Sequence, residues 1–272
     1  MFGRMTHARA KKSLGQHFLT DAAAIRRIAA AVPEGARVLE IGPGRGALTE
    51  PLLARVSALA LVEKDDALAA RWRERAADED KLAVWHADVL EALDEVVAAF
   101  RPEWIVGNLP YNISGPLSAA LFAHRLPGGM ALMYQREVAA RILAAPGGRE
   151  RGGLSVLARH FYRPERLLSL PPGAFSPPPK VHSAVVLLRP RPGEPACDYA
   201  ALQRAVRQGF AHRRKTLANN FRGLMDAEDW AALGLDARLR PEQLEYAQWA
   251  RLAAHLLSKD LSSRNPSSRG RG

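Results

Sequence analysis

The sequence predicts an α/β fold, in which helices cover a mostly parallel sheet, followed by a small helical domain. Three observations support this fold class. Strand-sized apolar runs recur from residue 37 to about residue 186, stretches long enough for crossover helices separate the early runs, and a proline-rich stretch near residue 190 precedes a region with helical periodicity. Because parallel neighbours need a crossover connection, the repeated unit is β-α-β and the first domain is doubly wound.

The strands and helices of this domain can be placed one by one. The apolar runs at residues 38–41, 58–62, 82–85, 104–106, 130–133 and 183–188 are predicted to be strands. The segments 47–56, 66–77 and 89–100 are predicted to be crossover helices. Prolines stand at positions 171, 172 and 177 to 179, and a proline ring fixes φ and removes the amide hydrogen. We therefore expect a stiff loop without regular structure before the last strand.

The chain is predicted to contain two domains and a tail. The stretch 189–195 holds three prolines and one glycine, which suits an exposed connection. Beyond it, five apolar residues have spacings that place them on one face of a helix or a helix pair: Leu202, Val206, Phe210, Leu217 and Phe221. The last residues are Ser, Arg, Asn, Pro and Gly and have nothing to bury. The predicted domains are 1–191 and 196–260, with a disordered tail at 261–272.

The composition indicates a globular protein with a polyanionic partner. Lys and Arg total 39 against 28 Asp and Glu, so the formal net charge is +11. Nucleic acid is the leading candidate for the partner, and solubility alone is the alternative. A single cysteine, Cys197, excludes an internal disulfide and suits a reducing compartment. Without a signal peptide or a membrane-spanning run, we expect a soluble cytoplasmic protein, although the basic start leaves an organellar transit peptide as an alternative.

A glycine-rich loop follows the first long strand and opens a helix. Residues 40–47 place Gly42, Gly44 and Ala47 at the spacing of a nucleotide-cofactor loop, in which glycines let the backbone approach a ligand closely. Glu63 lies about twenty residues further on, where an acidic side chain can bind a ribose diol. A nicotinamide cofactor and S-adenosylmethionine both present such a diol. The loop alone leaves both cofactors open, together with a plain tight turn.

A second carboxylate stands at the end of the third of these strands. Asp88 could accept a hydrogen bond from an adenine amino group, or it could simply cap the helix that begins at Val89. Gly42, Glu63 and Asp88 follow successive strands, so they meet at the carboxyl edge of the sheet. Together they resemble the S-adenosylmethionine pocket of class I methyltransferases.

The sequence Asn-Leu-Pro-Tyr at positions 108–111 is the most specific motif. It resembles the Asn/Asp-Pro-Pro-Tyr motif of methyltransferases that act on the amino group of adenine. An exocyclic amine is a weak nucleophile until acceptors hold its hydrogens, and the Asn108 side-chain oxygen and the Leu109 carbonyl can be those acceptors. Pro110 stiffens the turn, and Tyr111 can stack on the base. This chemistry needs no metal and no covalent nucleophile; the alternative is an ordinary turn at a strand end.

Four motifs resemble those of the small-subunit ribosomal RNA adenine dimethylases, in the same order, and the similarity runs from about residue 12 to residue 257. They occupy residues 13–19, 40–46, 108–114 and 175–181. The resemblance implies a class I enzyme that uses S-adenosylmethionine to dimethylate the N6 amines of two adjacent adenosines in the hairpin near the 3′ end of 16S rRNA. Its implied partner is the small-subunit rRNA of an immature 30S subunit, and we expect a monomer.

The resemblance also implies roles for individual residues. The cofactor contacts are His17, Leu19, Gly42, Glu63, Asp88 and Asn108. The catalytic residues are Asn108, Leu109, Pro110, Tyr111 and Phe175, with the Phe175 ring opposite Tyr111. Taken alone, Phe175 could equally pack at the edge of the core. The chain departs from the family at His17, where members often have Asn, and at His182, where they often have Asp.

Two clusters of positive charge are predicted to contact RNA phosphates. Arg213, Arg214 and Lys215 fall in the helical domain, and Lys11 and Lys12 lie near the cofactor entrance. Such side chains position RNA without reading its bases and make binding salt-dependent. A solvated helix face is the alternative. The expected target is single-stranded, because only a splayed adenine can reach Asn108.

Three other functions remain to be weighed. A large-subunit rRNA adenine methylase shares the cofactor loop and the Asn-Leu-Pro-Tyr type of motif. An RNA-binding assembly or transcription factor on the same fold would not need the intact site residues. A nicotinamide dehydrogenase would explain the glycine loop but gives no role to residues 108–111.

Overall fold

The computed structural model describes residues 17–264, and side chains up to residue 261. The chain divides into two compact units. The first unit contains the residues up to 143 together with 162–190, and the second contains 144–161 together with the residues from 191 onward. The predicted first domain, 1–191, includes 144–161, whereas the structure groups this segment with the helical unit.

Local packing explains why residues 144–161 belong to the second unit. The Arg151 guanidinium donates hydrogen bonds to the carbonyl oxygens of Ala144, at 3.0 Å, and Leu244, at 3.2 Å. A Cβ atom on Gly153 would lie only 3.1 Å from Cγ1 of Val206, so the two backbones approach closely there. The contacts of Arg151 with Leu244 and of Gly153 with Val206 join positions far apart in sequence, so no local pattern predicts them.

The first unit is built on a seven-stranded sheet. Five strands are parallel: β2 (Arg37–Ile41), β3 (Ala58–Glu63), β4 (Leu82–His86), β5 (Trp104–Asn108) and β6 (Gly129–Gln135). The strands β7 (Tyr162–Leu170) and β9 (Ser183–Pro190) complete the sheet in antiparallel pairing, and the order across it is β4-β3-β2-β5-β6-β9-β7. A separate two-stranded sheet joins β1 (Phe18–Leu19) to β8 (Phe175–Ser176).

Six helices connect the strands of this unit: α1 (Ala22–Ala30), α2 (Thr49–Leu53), α3 (Asp66–Ala76), α4 (Val89–Phe100), α5 (Ser114–Leu121) and α6 (Arg136–Leu143). Three of them begin at an aspartate whose carboxylate accepts backbone amide hydrogens of the first turn: Asp21 for α1, Asp65 for α3 and Asp88 for α4. Such caps satisfy amides that have no partner within the helix. The crossover helices therefore start directly at the carboxyl edge of the sheet.

The centre of the sheet is apolar on both faces, as expected where helices cover both sides. Side chains that alternate in direction, such as Val38 and Leu39 on β2 or Ile105 and Val106 on β5, are all fully buried. This continuous burial explains why the strand positions could be predicted from short apolar runs.

Three strands were not predicted: β1, β7 and β8. The irregular loop expected at the prolines is observed at residues 177–182, whereas the residues just before it form regular structure. Residues 172–174 form a 3-10 turn, and Phe175–Ser176 form β8. The nine-residue strand β7 also escaped prediction, because most of its side chains are polar or partly exposed and it contains Pro164. Its place at the edge of the sheet tolerates a proline, which cannot donate to a second neighbour.

The second unit is helical. Its helices are α7 (Gly153–Leu157), α8 (Tyr199–Gly209), α9 (Leu217–Asn220), α10 (Ala227–Leu233) and α11 (Tyr246–Arg264). The predicted apolar face is buried, except for the half-buried Phe210. A Cβ atom on Gly209 would collide with the Trp249 ring, so α8 and α11 pack closely at this glycine.

The last helix continues into the predicted tail. α11 ends at Arg264, whereas the tail was expected to begin at residue 261. The first strong helix breaker in this part of the sequence is Pro266, so nothing in the local chemistry stops the helix earlier. The tail beyond residue 264 lies outside the described residues. Within residues 17–264, no helix is long and apolar enough to cross a membrane.

Candidate active site

The first unit has a crevice where its strand order reverses. The chain runs from β2 outward to β3 and β4, then returns to β5 on the other side of β2 and continues to β6. The loops after β2 and β5 consequently leave the sheet in opposite directions, and ligands of doubly wound folds bind at such a point. Gly42 directly follows β2, and Asn108 ends β5.

A cleft at this edge brings together nine of the residues that the sequence analysis selected. They are His17, Leu19, Gly42, Glu63, Asp88, Asn108, Leu109, Pro110 and Tyr111. The cleft is also lined by Gly44 and Ala47 of the predicted cofactor loop and by residues that were given no role, among them Phe18, Glu40, Arg45 and Lys64. The predicted cofactor loop and the predicted acceptor motif thus line the same cleft.

The glycine loop is held from several directions around Gly44. This residue has φ +55°, and a Cβ atom there would come within 3.0 Å of the Phe18 ring. Its amide donates to Oε2 of Glu63 at 3.2 Å, and its carbonyl accepts from Nε1 of Trp72 at 3.0 Å. The Arg45 guanidinium lies over the Phe18 ring, 4.3 Å from its centroid. A side chain at position 44 would therefore disturb both the backbone conformation and the Phe18 contact.

Glu63 is a buried carboxylate at the end of β3. Its side chain is 6% exposed, and its two oxygens accept backbone amides from Gly44 and, at 2.9 Å, from Asp65. Burial raises the pKa of Glu63, while the two amide hydrogen bonds partly oppose this shift. A carboxylate oxygen can accept more than one hydrogen bond, so Glu63 can still receive hydroxyl donors from the cleft.

Asp88 caps a helix and also lies where it could accept a hydrogen bond from a ligand. Its Oδ1 atom accepts the Leu90 amide at 2.9 Å and so caps α4, while the same side chain lines the cleft. Its Oδ2 atom accepts a hydrogen bond from Nζ of Lys64 at 2.6 Å, which lowers the pKa of Asp88. The carboxylate is thereby held in its charged form, as an acceptor for an amino group requires.

Glu40 is a cleft residue that the sequence analysis included in a motif but gave no role. It lies in β2, is only 2% exposed, and its Oε2 atom has no hydrogen-bond partner among the described residues. Burial raises its pKa to about 8, and the neighbouring carboxylates of Glu63 and Glu50 add to the shift. An acidic residue inside an otherwise apolar buried strand is the signal that could have identified it.

The Asn108 side chain is oriented by the N-terminal segment. Its Nδ2 atom donates to the carbonyl oxygen of His17 at 2.8 Å. Because the amide nitrogen is engaged in this bond, the side-chain oxygen remains as the acceptor that the predicted chemistry needs. The following residue, Leu109, is buried, and its amide donates to the Met133 carbonyl at 3.3 Å. Both ends of the acceptor turn are thus anchored.

Tyr111 is held at both its ring and its hydroxyl. The ring stacks on the His17 imidazole, with centroids 5.7 Å apart and planes inclined by 27°. The hydroxyl forms a 2.7 Å hydrogen bond with Oγ of Ser183 on β9. His17 in turn bonds through Nδ1 to the Pro177 carbonyl at 2.8 Å. His17 therefore contacts both Tyr111 and Asn108, which no local sequence pattern indicated.

Phe175 does not line the cleft. Its side chain is 4% exposed and belongs to the main apolar core, and its strand β8 pairs with Leu19 of β1. This is the core packing that the sequence analysis held open as the alternative. The stacking of Phe175 opposite Tyr111 stays a prediction, and it requires the ring to move.

The predicted RNA contacts lie on a turn rather than on a helix face. Arg213, Arg214 and Lys215 are exposed between α8 and α9. The Arg213 guanidinium donates to the carbonyl oxygens of Arg149, at 3.0 Å, and Arg151, at 3.1 Å. Arg213 therefore also ties its turn to the rest of the second unit. Lys11 and Lys12 lie outside the described residues.

Residues 7–257 match the family model described as ribosomal RNA adenine dimethylase. The chain belongs to this family. The predicted enzyme class, an rRNA adenine dimethyltransferase that uses S-adenosylmethionine, is confirmed by this membership, and the nicotinamide dehydrogenase alternative falls away.

Curated relatives are similar over nearly the whole dimethylase sequence. The Ribosomal RNA small subunit methyltransferase A of Chromobacterium violaceum is 46% identical over 257 residues, covering 92% of this chain and 96% of the relative. The protein of the same name from Pseudomonas putida is 44% identical over 254 residues, covering 91% of this chain and 95% of the relative.

Solved structures confirm the predicted α/β fold. A dimethyladenosine transferase from Plasmodium falciparum superposes with a TM-score of 0.73 at 24% identity, covering 91% of this chain and 98% of that one. The 23S rRNA methyltransferase ErmE superposes with a TM-score of 0.64 at 25% identity, covering 88% and 99%.

The cleft of this dimethylase fits S-adenosylmethionine. A Cβ atom on Gly42 would meet nothing within 4 Å, so there is open space beside the loop, and three carboxylates line the cleft: Glu40, Glu63 and Asp88. Glu63 would hold the ribose hydroxyls and Asp88 the adenine amino group, since both need acceptors. The Oε2 atom of Glu40, buried without a partner, would suit a donor of the cofactor. Acidic strand ends beside a glycine loop suit a ligand that carries hydroxyl and ammonium groups.

The substitution Glu63→Gln is expected to weaken cofactor binding by about tenfold or more. The amide keeps the size of the side chain but retains only one acceptor oxygen for the two backbone amides and the ribose; lost charged hydrogen bonds cost roughly 1.5–3 kcal/mol. Calorimetry with S-adenosylmethionine measures the affinity, and thermal melting of the ligand-free variant checks the fold. Glu74→Gln, on the exposed side of α3, is the matched control. Unchanged affinity in a folded Glu63→Gln variant would refute the ribose assignment.

Proposed function

We propose that this chain methylates the N6 amines of two adjacent adenosines in the hairpin near the 3′ end of small-subunit rRNA. The observation that carries the proposal is the placement of Asn108 to Tyr111 in the same cleft as the glycine loop and the acidic strand ends. The relatives of 44% and 46% identity, named small subunit methyltransferase A, support the small-subunit target over a large-subunit one.

The residues of the cleft prepare the amine for attack. When bound, S-adenosylmethionine supplies an electrophilic methyl group on a sulfonium. The Asn108 side-chain oxygen and the Leu109 carbonyl accept the two N6 hydrogens, which turns the nitrogen lone pair away from the adenine ring and toward the cofactor side of the cleft. After transfer, the nitrogen is acidic and releases a proton to solvent. A second methylation needs only one of the two acceptors, because one hydrogen remains.

Tyr111 holds the target base. A base stacked on an aromatic ring gains about 1–3 kcal/mol, which helps to compensate the loss of stacking inside the RNA. The ring is already fixed by His17 and Ser183, so little side-chain freedom is lost on binding. Since every base offers a flat face, stacking by itself does not choose adenine, and the acceptors at positions 108 and 109 supply that selectivity.

The ribosomal substrate is proposed to be an immature small subunit in the cytoplasm, with the enzyme acting as a monomer. Support comes from the net charge of +11 and from the names of the relatives. Light scattering of the purified protein measures the oligomeric state.

One experiment distinguishes the candidate functions. Small and large subunits that lack the modification are incubated separately with the protein and labelled S-adenosylmethionine, and dimethyladenosine is mapped in the rRNA. Label at adjacent adenosines of the 3′ hairpin of small subunits is the expected result. Label on large subunits would favour the large-subunit methylase, and binding without any label would favour an RNA-binding assembly factor.

Neutralising Arg214 and Lys215 is expected to weaken RNA binding without affecting the cofactor. Both side chains are exposed, whereas Arg213 also bonds to backbone carbonyls and is left intact. Each lost phosphate contact should lower the slope of log affinity against log salt by about 0.7 for single-stranded RNA. Titrations of the Arg214→Gln/Lys215→Gln protein at several salt concentrations measure this slope.

The matched control carries Arg73→Gln and Lys81→Gln, two exposed cations in the first unit. Lys81 precedes β4 and Arg73 lies toward the end of α3, so both are directed away from the carboxyl edge of the sheet. An equal salt slope in the wild type and in the Arg214→Gln/Lys215→Gln protein would show that the two side chains form an ordinary solvated surface and do not contact RNA phosphates.

A further inference from the structure

The segment 177–182, which connects β8 to β9, borders Tyr111 at both of its ends. At the first end, the Pro177 carbonyl accepts a hydrogen bond from His17, whose ring stacks on Tyr111. At the other end, Ser183 follows directly and bonds to the Tyr111 hydroxyl. The segment therefore runs along the side of the cleft where the target base is proposed to lie, and we call it the rim.

Arg136 joins the rim from a neighbouring strand. Gln135, the last residue of β6, pairs with Ser183 in the antiparallel register. The next amide, of Arg136, donates to the His182 carbonyl at 2.8 Å. Arg136, Lys180 and His182 are all exposed, so the end of β6 and the rim present three exposed basic side chains near Ser183, the residue that bonds to Tyr111.

These basic side chains have no acidic partners in the described part of the chain. Neither a hydrogen bond nor an ion pair is formed by the side chain of Arg136, Lys180 or His182 with residues 17–264. The adjacent carboxylate, Glu137, is engaged by Arg141. The contrast is Lys64 at the cofactor side of the cleft, which is paired with Asp88. The positive charge at the rim is therefore not compensated by a local carboxylate.

Uncompensated, exposed cations beside a site for a flipped base match the chemistry of an RNA backbone. The sugar of a nucleotide carries the base and is linked both to its own phosphate and to that of the next nucleotide. A base that stacks on Tyr111 therefore brings both phosphates close to the ring. Arg can bind a phosphate with two parallel hydrogen bonds, and Lys acts as a point charge. Exposed carboxylates at this position would repel the phosphates, and apolar side chains would form no charged contact with them.

We propose that Arg136 and Lys180 form a phosphate-binding site that holds the RNA backbone next to the target adenine. The proposal rests on the proposed function, since it takes the occupant of the cleft to be an adenosine in RNA. The rim contacts the backbone and does not touch the amine. It positions the substrate, so its loss acts on substrate binding and leaves the chemical step unchanged.

The test uses the full-length Arg136→Gln/Lys180→Gln protein, with Arg73→Gln/Lys81→Gln as the control of equal charge change. Unmodified small subunits are the substrate for steady-state methylation, and a single-stranded RNA with the sequence of the 3′ hairpin loop is the probe for binding at several salt concentrations. We expect KM for the subunits to rise by about tenfold and the salt slope to fall by about 1.4 for two lost contacts. The rate constant kcat and the affinity for S-adenosylmethionine should stay within about twofold of the wild type.

A second variant, Arg136→Glu/Lys180→Glu, replaces both cations of the rim with carboxylates. It is expected to raise KM in the same direction while sparing kcat, because a negative charge there repels phosphate. A rim variant that lowers kcat or cofactor affinity would show a structural role instead and overturn the proposal, as would a KM and salt slope equal to those of the control. If the wild type did not methylate small subunits, the proposed function would fail, and the rim proposal would fail with it. If the wild type methylates them and the rim variants match the control, only the rim proposal is wrong.

Discussion

Replacing Asn108 with alanine is expected to slow methyl transfer by a factor of about a hundred or more. The Asn108 side-chain oxygen is an acceptor preorganised for the reacting amine, and removing one such group from other active sites costs about this much. The structure adds a reason why the oxygen is already in place: the amide nitrogen is bound to the His17 carbonyl at 2.8 Å. Single-turnover methylation of small subunits at saturating S-adenosylmethionine measures the chemical step, even if cofactor affinity also falls.

The variant Asn108→Asp separates the two functions of this side chain. It keeps an oxygen that can accept from the amine, but it cannot donate to His17 unless it is protonated. We expect its rate to lie between those of the wild type and Asn108→Ala. Asn219→Ala, on an exposed helix of the second unit, controls for the loss of an amide elsewhere. A near-normal single-turnover rate for Asn108→Ala would remove Asn108 from the mechanism.

Tyr111→Ala is expected to lower kcat/KM by about 5-fold to 100-fold, while Tyr111→Phe retains most of the activity. The alanine variant loses the stacking ring, worth about 1–3 kcal/mol per base, whereas phenylalanine keeps the ring. The hydroxyl also contributes, because its hydrogen bond with Ser183 helps to orient the ring. We therefore expect a small loss for Tyr111→Phe, measured as kcat/KM on unmodified small subunits.

Ser183→Ala is the matched control for this pair of variants. It removes the same hydrogen bond from the other side and leaves the tyrosine in place. If the hydroxyl serves only to orient the ring, Ser183→Ala and Tyr111→Phe should show similar, small effects. Equal and large damage from Tyr111→Phe and Tyr111→Ala would mean that the hydroxyl, and not stacking, is the important group.

The two interpretations of Asp88 show that a motif can suggest several roles for one residue without deciding between them. From the sequence, a helix cap and an adenine acceptor were competing explanations for one carboxylate. The structure shows a helix cap on Oδ1 and a cleft-lining carboxylate whose Oδ2 is bound to Lys64. The two roles are compatible because a carboxylate has two oxygens with separate lone pairs. The helix cap and the acceptor role are therefore not mutually exclusive, although the sequence presented them as alternatives.

Phe175 shows the opposite outcome. Its motif suggested an aromatic ring in the site, and the structure buries the ring in the core beside β1. The residue type was compatible with both positions, and the direction of the ring depends on a two-residue strand pairing across more than 150 positions of sequence. No local pattern contains that pairing.

Local chemistry was sufficient for the five parallel strands and β9, for the crossover helices α2, α3 and α4, and for most of the cofactor cleft. Buried parallel strands must be apolar on both faces, glycine loops must follow a strand, and carboxylates that meet at a sheet edge must follow successive strands. Each of these constraints involves only a few neighbouring residues, so it produces a short pattern that can be recognised in the sequence. The predicted residues Gly42, Glu63, Asp88 and Asn108 accordingly line one cleft.

Only the tertiary structure decided the contacts that join distant segments. The bond from Asn108 to the His17 carbonyl, the stacking of His17 on Tyr111, the Ser183 hydroxyl and the membership of residues 144–161 in the second unit all depend on which elements become neighbours. The edge strand β7 belongs with them, since pairing with β9 holds it despite its polar sequence. The sequence by itself determined the principal groups of the cleft, which are Gly42, Glu63, Asp88 and residues 108–111, because local chemistry specifies each of them. The orientation of these groups was decided by packing and by hydrogen bonds between residues far apart in the chain. Such contacts leave no local periodicity in the sequence.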